Sequence, residues 1–122
     1  MQKDRRLTKT SDFQAVRREG NKWSDNFLVL VTRCNDSGVT RYGFSVGKKV
    51  GNSVVRNAVK RRIREVVRSL VVQDGWDLVV VARRDAGTAH SCQLRHSMTK
   101  LLYRAGLLSS MTSTLGFYTS GD

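Results

Sequence analysis

Acidic residues are scarce in this chain. Its 122 residues hold 10 Asp and Glu against 22 Lys and Arg, a formal net charge of +12. Such an imbalance costs self-repulsion in the compact state. A polyanion relieves it by accepting the charges and giving up its own condensed counterions. The shortage therefore argues against a basic protein with no particular partner, since a pI near 10.7 is the usual electrostatic footprint of nucleic-acid binding. Cysteine is nearly missing too. Cys34 and Cys92 stand far apart and outside any CxxC spacing. With only His90 and His96 to join them they make a poor zinc set. Two free thiols suit a reducing cytoplasm. No apolar run reaches the roughly 18 residues a membrane span needs. The start, MQKDRRLTKTSDF, lacks the apolar core of a signal peptide. The protein is thus expected in the cytoplasm, with no membrane partner. Proline is absent altogether, which by itself excludes nothing.

The carboxylates are also dispersed. A protein nuclease of this size would need clustered acids for Mg²⁺ or a histidine acid–base pair. The acids lie at Asp4, Asp12, Glu19, Asp25, Asp36, Glu65, Asp74, Asp77, Asp85 and Asp122. Asp74 and Asp77 are close, but they flank a turn into a strand. His90 and His96 straddle the start of a helix and read as surface or cap residues. No catalytic residue and no metal ligand is expected in the protein. A free-standing metallonuclease acting through Asp74 and Asp77 stays open as an alternative.

What is present is enough for one folded domain. Apolar residues make up 39% and charged residues 26%, and Val/Leu runs occur at 28–31, 70–72 and 78–82. Residues 1–108 are expected to form a single domain and 109–122, rich in Ser and Thr, a flexible tail. A basic arm (1–9) leads into a helix over about 11–19, with Ser11 and Gln14 in capping-box spacing and Gly20 as its stop. Phe13 and Val16 share a face. Strands are expected over 26–33 and 40–48. In the second, Tyr42, Phe44 and Val46 share one face. The other carries only Gly43, Ser45 and Gly47, a bareness that marks close approach by another backbone or a ligand. A long helix over about 53–71 follows a break and N-cap at Gly51-Asn52-Ser53. The chain ends in a doubly buried strand (76–82) and a helix over about 91–105. The order is helix, strand, strand, helix, strand, helix: an α/β layer structure with a small mixed sheet.

The long helix, SVVRNAVKRRIREVVRSLV, is the most informative stretch. At about 100° per residue, Arg56, Asn57, Lys60, Arg61, Arg64 and Arg68 fall on one contiguous face. Val55, Val59, Ile63, Val66, Val67 and Leu70 fall on the adjoining one, and Arg62 lies clear of both. Like charges at i,i+4 cost a few tenths of a kcal/mol each, and Arg56–Lys60, Lys60–Arg64 and Arg64–Arg68 all incur that cost. Only Glu65 is acidic, whereas a solvated face would interleave Glu with its cations. A membrane-surface helix is disfavoured because the apolar face is Val and Ile without Trp or Phe. Guanidinium forks match phosphate oxygens. Asn57 is able to touch a base edge or a 2′-hydroxyl. Lys48 and Lys49 stand just before the helix N-terminus, where an anion is favoured.

These residues carry a resemblance. KKVGNSVVRNAVKRRIRE (48–65) resembles the Lys-Lys, Gly, Arg-Asn and Lys-Arg-rich helix of the bacterial ribonuclease P protein family. Arg6-Leu7, DFQAVRREG (12–20), GFSV (43–46) and DLVVVARR (77–84) stand in the same order, and only the C-terminal tail lacks a counterpart. The resemblance implies a small sheet with three helices and an uncommon left-handed crossover at the Arg-Asn helix. It implies that the catalyst is an RNA subunit which, with Mg²⁺, removes the 5′ leader of precursor tRNA. The protein would bind that RNA and the leader and strengthen substrate and metal binding; DNA is not an expected partner. Carried over by position, Lys48, Lys49, Arg56, Asn57, Lys60, Arg61, Arg62, Arg64 and Arg68 would face the RNA subunit. Arg6, Lys9, Phe13, Arg17 and Leu30 would face the leader, in a cleft between the first helix and the sheet. Phe13 reads equally well as a stacking platform and as core. Arg17 replaces a second family aromatic, and Leu30 or Val31 stands where a strand aromatic is common, so leader contact leans on charge. From composition alone, a general RNA-binding module such as a ribosomal protein remains the alternative.

Overall fold

The computed structural model describes residues 6, 7, 9–35 and 37–108. They form α1 (Thr10–Glu19), β1 (Asn21–Ser24), β2 (Leu28–Cys34), β3 (Arg41–Val46), α2 (Ser53–Arg68), β4 (Trp76–Ala82) and α3 (Ser91–Arg104), with 3₁₀ turns at Lys48–Val50 and Arg84–Thr88. The strands make one mixed sheet in the order β1-β2-β4-β3. β2 runs antiparallel to both its neighbours, and β3 lies parallel to β4 with α2 connecting them. This is the expected α/β domain, with one strand added. β1 escaped notice because three of its four residues, Asn21, Lys22 and Ser24, are exposed and polar. The expected tail, 109–122, and residues 1–5 and 8 of the basic arm lie outside the described residues.

Alternation along the strands divides the apolar residues between two layers. Leu28, Leu30, Tyr42, Val46, Leu78, Val80 and Ala82 face the main core. There they meet Val59, Ile63, Val66 and Val67 of α2 and Leu94, Met98, Leu101 and Leu102 of α3. Val31 and Val79 point the other way, into a small cluster with Leu7 and Val16 of α1. On that side Val29, Val81 and Ser45, neighbours across the sheet, are only half-buried. The face under α1 is therefore partly open, while the face under α2 and α3 is closed.

Several boundaries differ from expectation for local reasons. The Ser11–Gln14 capping box does not form. α1 begins at Thr10 with Lys9 as N-cap and no side-chain cap. The entry is set by the arm, whose Leu7 amide donates to the Tyr42 carbonyl at 2.8 Å, so Ser11 already lies inside the helix. Gly20 does end α1, but with φ −83°. Its role is close approach: a Cβ there would stand 2.6 Å from the Thr32 carbonyl oxygen. α2 stops at Arg68, three residues early. The Ser69 hydroxyl donates to the Val66 carbonyl at 2.7 Å, one of the local bonds by which serine competes with a helix. β2 starts at Leu28 because the Asp25 carboxylate holds the Phe27 and Leu28 amides in a turn at 2.9 and 3.0 Å.

Candidate RNA interface

α2 is set by its cap and its valines. The Asn52 side chain accepts from the Val55 amide at 3.0 Å, and Val59, Ile63, Val66 and Val67 are buried. This turns the cationic row outward. Asn57, Arg61 and Arg68 are exposed, while Arg56, Lys60, Arg62 and Arg64 are half-buried. Arg62, which the helical wheel sets apart, is thus not clear of the protein. Among the described residues, the row's ion pairing is limited to Arg61–Glu65 at 4.0 Å, between side chains more than 60% exposed. Such a pair contributes little. Arg64 lies over the Phe44 ring, 5.9 Å from its centroid, within cation–π range. The Nε–H groups of Arg56 and Arg64 are buried without a protein acceptor. Lys48 and Lys49 are exposed on the 3₁₀ turn that precedes α2.

The bare face of β3 is filled by Phe13. A Cβ at Gly43 would stand 2.5 and 2.6 Å from two atoms of that ring, so any larger residue there makes the ring move. Phe13 is half-buried against the α1-side cluster. It also lines a depression of about 190 Å³ together with Arg6, Leu7, Tyr42, Gly43, Phe44, Lys60 and Arg64. Phe13 is therefore both packed and accessible. Arg6 reaches the depression because the arm pairs in parallel with β3 at Tyr42. Two sets that the sequence kept apart, Arg6 with Phe13 and Lys60 with Arg64, thus border one hollow, and among the described residues no acid lines it.

Lys9 and Arg17 are exposed at the start and in the last turn of α1. Leu30 is not available for leader contact. It has no exposed surface and lies in the main core, because the pleat turns it toward α2 and α3. Its neighbour Val31 is the residue that faces α1.

Sequence reasoning missed one cationic group. Arg83 and Arg84 line a hollow of about 340 Å³ with Lys49, Asn26 and Asp85. They follow the carboxyl end of β4 beside the turn that follows β3, where open α/β sheets place their binding crevices. The close fit of these two turns needs Gly87, since a Cβ there would run into the Val50 carbonyl oxygen. The arginine pair was visible in DLVVVARR, but nothing local linked it to Lys49.

The strongest charge network sits under α1. Asp77 is fully buried. It accepts from Arg41 Nε and Nη2 at 2.9 and 2.8 Å, Asn35 Nδ2 at 2.8 Å and Arg33 Nη2 at 3.3 Å. Burial pushes its pKa up, but the hydrogen bonds from Arg41, Asn35 and Arg33 and the charge of Arg41 outweigh it and hold the carboxyl below its ordinary value. Arg33 and Arg41 also reach Glu19 and Asp12 at 3.1 and 3.9 Å, tying both ends of α1 to the sheet. With two guanidinium groups on its oxygens, Asp77 is unsuited to a divalent cation, and the metallonuclease alternative loses the buried half of its proposed pair.

A small α/β domain that bares a cationic helix beside an aromatic hollow defines the class of small basic RNA-binding proteins. Comparison with known proteins narrows that class. The family model described as Ribonuclease P matches residues 1–106. The ribonuclease P protein component of Clostridium kluyveri is 41% identical over 106 residues, covering 84% of this chain and 95% of the relative. The Staphylococcus aureus RNase P protein superposes with a TM-score of 0.77 at 33% identity, over 86% of this chain and 98% of that one. The Thermotoga maritima RNase P protein does so with 0.74 at 30%, over 81% and 96%. The chain belongs to the ribonuclease P protein component family. It is therefore a ribonuclease P subunit rather than a ribosomal protein, and its family partner is the ribonuclease P RNA.

Proposed function

We propose that the protein binds the ribonuclease P RNA through the α2 row and holds the 5′ leader of precursor tRNA along the partly open face beside α1, while the RNA carries the chemistry. The observation that carries this reading is the shared hollow in which Arg6 and Phe13 meet Lys60 and Arg64, with no acid among the described residues that line it. An aromatic ring with cations around it suits an unpaired nucleotide, whose base stacks while its phosphate is neutralised. Arg56, Asn57, Arg61, Arg62 and Arg68 continue the cationic surface along α2, and Lys48 and Lys49 extend it past the helix N-terminus. Lys9 and Arg17 lie beside Phe13 on α1. Neutralised phosphates release counterions, and a leader held in place positions the scissile bond relative to the RNA catalyst. Mg²⁺ belongs with the RNA and substrate in this reading, where it would stabilise the oxygens of the scissile phosphate. Precursor tRNA is the substrate, and we place the protein in the cytoplasm, where its two free thiols stay reduced.

The test is cleavage of 5′-labelled precursor tRNA at low millimolar Mg²⁺ by protein alone, RNA subunit alone and both together. Cleavage at the mature 5′ end is expected to be fast only with both. Cleavage by clean protein alone overturns the division of labour. No enhancement of the RNA by the protein overturns the subunit role.

A further inference from the structure

α3 carries no acidic residue at all. On its wheel, Gln93, His96, Ser97, Lys100 and Arg104 fall within a strip about 100° wide. These five line a hollow of about 260 Å³ against the β1–β2 turn, with Asp25, Asn26 and Phe27 on the far wall. Gln93, His96 and Arg104 are exposed and Lys100 is half-buried. The strip does not belong to the α2 row. Arg95, on another side of α3, is the residue that turns toward α2, where it donates to the Ser69 hydroxyl at 2.7 Å.

Among the described residues, the single acid in this hollow is already engaged. One Asp25 oxygen accepts the Phe27 and Leu28 amides. The other accepts the Ser97 hydroxyl at 2.6 Å and meets Lys100 Nζ at 3.4 Å. Burial raises the Asp25 pKa, but the bonds from Ser97, Leu28, Phe27 and Lys100 outweigh it and hold the carboxylate ionised. Among the described residues, Arg104, His96 and the Gln93 amide have no such partner within the hollow. Gln93 Oε1 is taken by the His90 amide at 2.8 Å, which leaves its NH₂ as a donor. Asn26 lines both this hollow and the Lys49–Arg83–Arg84 one. The β1–β2 turn thus joins the hollow at the carboxyl ends of β3 and β4, where Asp85 stands beside three cations, to the strip along α3.

We propose that this α3 strip is a second RNA-phosphate surface, which takes a stretch of RNA other than the one on α2. A row of donors with one engaged acid fits a sugar–phosphate backbone, and an open hollow lined mainly by polar side chains does not fit an apolar partner. The inference rests on the ribonuclease P reading and commits to the RNA subunit as the occupant, because Asn26 joins the strip to the hollow of Lys49, which that reading already places against the RNA subunit.

The experiment uses reconstituted holoenzyme with Arg104→Ala, Arg104→Glu and Arg104→Lys, and Arg64→Ala as a reference on α2. Affinity for the RNA subunit is measured against salt concentration. KM for precursor tRNA is measured with the RNA subunit saturating. Thermal unfolding of each variant checks the fold. Arg104→Ala is expected to weaken binding of the RNA subunit about three- to tenfold and to flatten its salt dependence by about one counterion. Arg104→Glu should weaken it further, and Arg104→Lys should restore it. A change confined to KM for precursor tRNA would overturn the assignment to the RNA subunit. If Arg104→Glu leaves both affinities and both salt slopes unchanged while Arg64→Ala weakens binding, the α3 surface is wrong and the α2 interface stands. If Arg64→Ala is also silent, the α2 reading fails as well.

Discussion

Replacing Gly43 by alanine isolates the contact that builds the aromatic hollow. The added Cβ would sit 2.5 and 2.6 Å from two Phe13 ring atoms, against about 3.5–4.0 Å for an ordinary carbon contact. The ring must therefore retreat by roughly 1 Å, and Leu7, Val16, Val31 and Val79 pack the cluster it belongs to. Overpacking of this kind costs about 1–3 kcal/mol. Gly43 has no positive φ, so alanine also returns about 0.4–1 kcal/mol by restricting the unfolded chain. The net expectation is a loss on the order of 1 kcal/mol. In a Phe13→Ala background the clash is gone, and Gly43→Ala should be neutral or mildly stabilising. Urea unfolding of the four proteins in this double-mutant cycle should thus show a coupling of about 1–3 kcal/mol. Gly43→Ala should also weaken leader-bearing precursor more than mature tRNA, because the ring that stacks has moved. Additive effects in the cycle would refute the reasoning, since they would mean that the ring does not rest on Gly43.

Three further outcomes follow from the same geometry. Arg64→Ala should weaken the RNA subunit and make the salt dependence of its affinity shallower by about one counterion; an unchanged affinity and slope would remove the arginine row from the interface. Asp77 has a folded pKa below its unfolded value. Its contribution is therefore complete above about pH 4 and disappears as pH falls through the folded value. Asp77→Asn should cost about 3–5 kcal/mol at pH 7, because it leaves the two arginines without their buried anion, and should flatten the acid side of the stability curve; parallel curves for the two proteins would count against the network. Leu30→Ala should cost about 2–5 kcal/mol in urea unfolding and affect leader-bearing and mature tRNA alike. A leader-specific loss would contradict its place in the core.

The sequence alone determined what local periodicity and charge can encode. The valine stripe and the cation row of α2 were legible because 3.6-residue spacing fixes which side chains share a face, and burial of one forces exposure of the other. The doubly buried β4 was legible from WDLVVVA, and the partner class from a charge that only a polyanion offsets. β1 was not, since three exposed polar residues carry no pattern and their pairing is decided by β2. Leu30 and Val31 show the same limit: alternation says that they face opposite ways, and only the placement of α1 on one face of the sheet and of α2 and α3 on the other says which way is which. The bareness of β3 announced a close neighbour without naming it. Tertiary structure supplied Phe13, brought Arg6 to Lys60 and Arg64, and joined Arg83 and Arg84 to Lys49. Each of these meetings depends on the relative placement of elements distant in sequence, which the register of the sheet sets and no single segment contains.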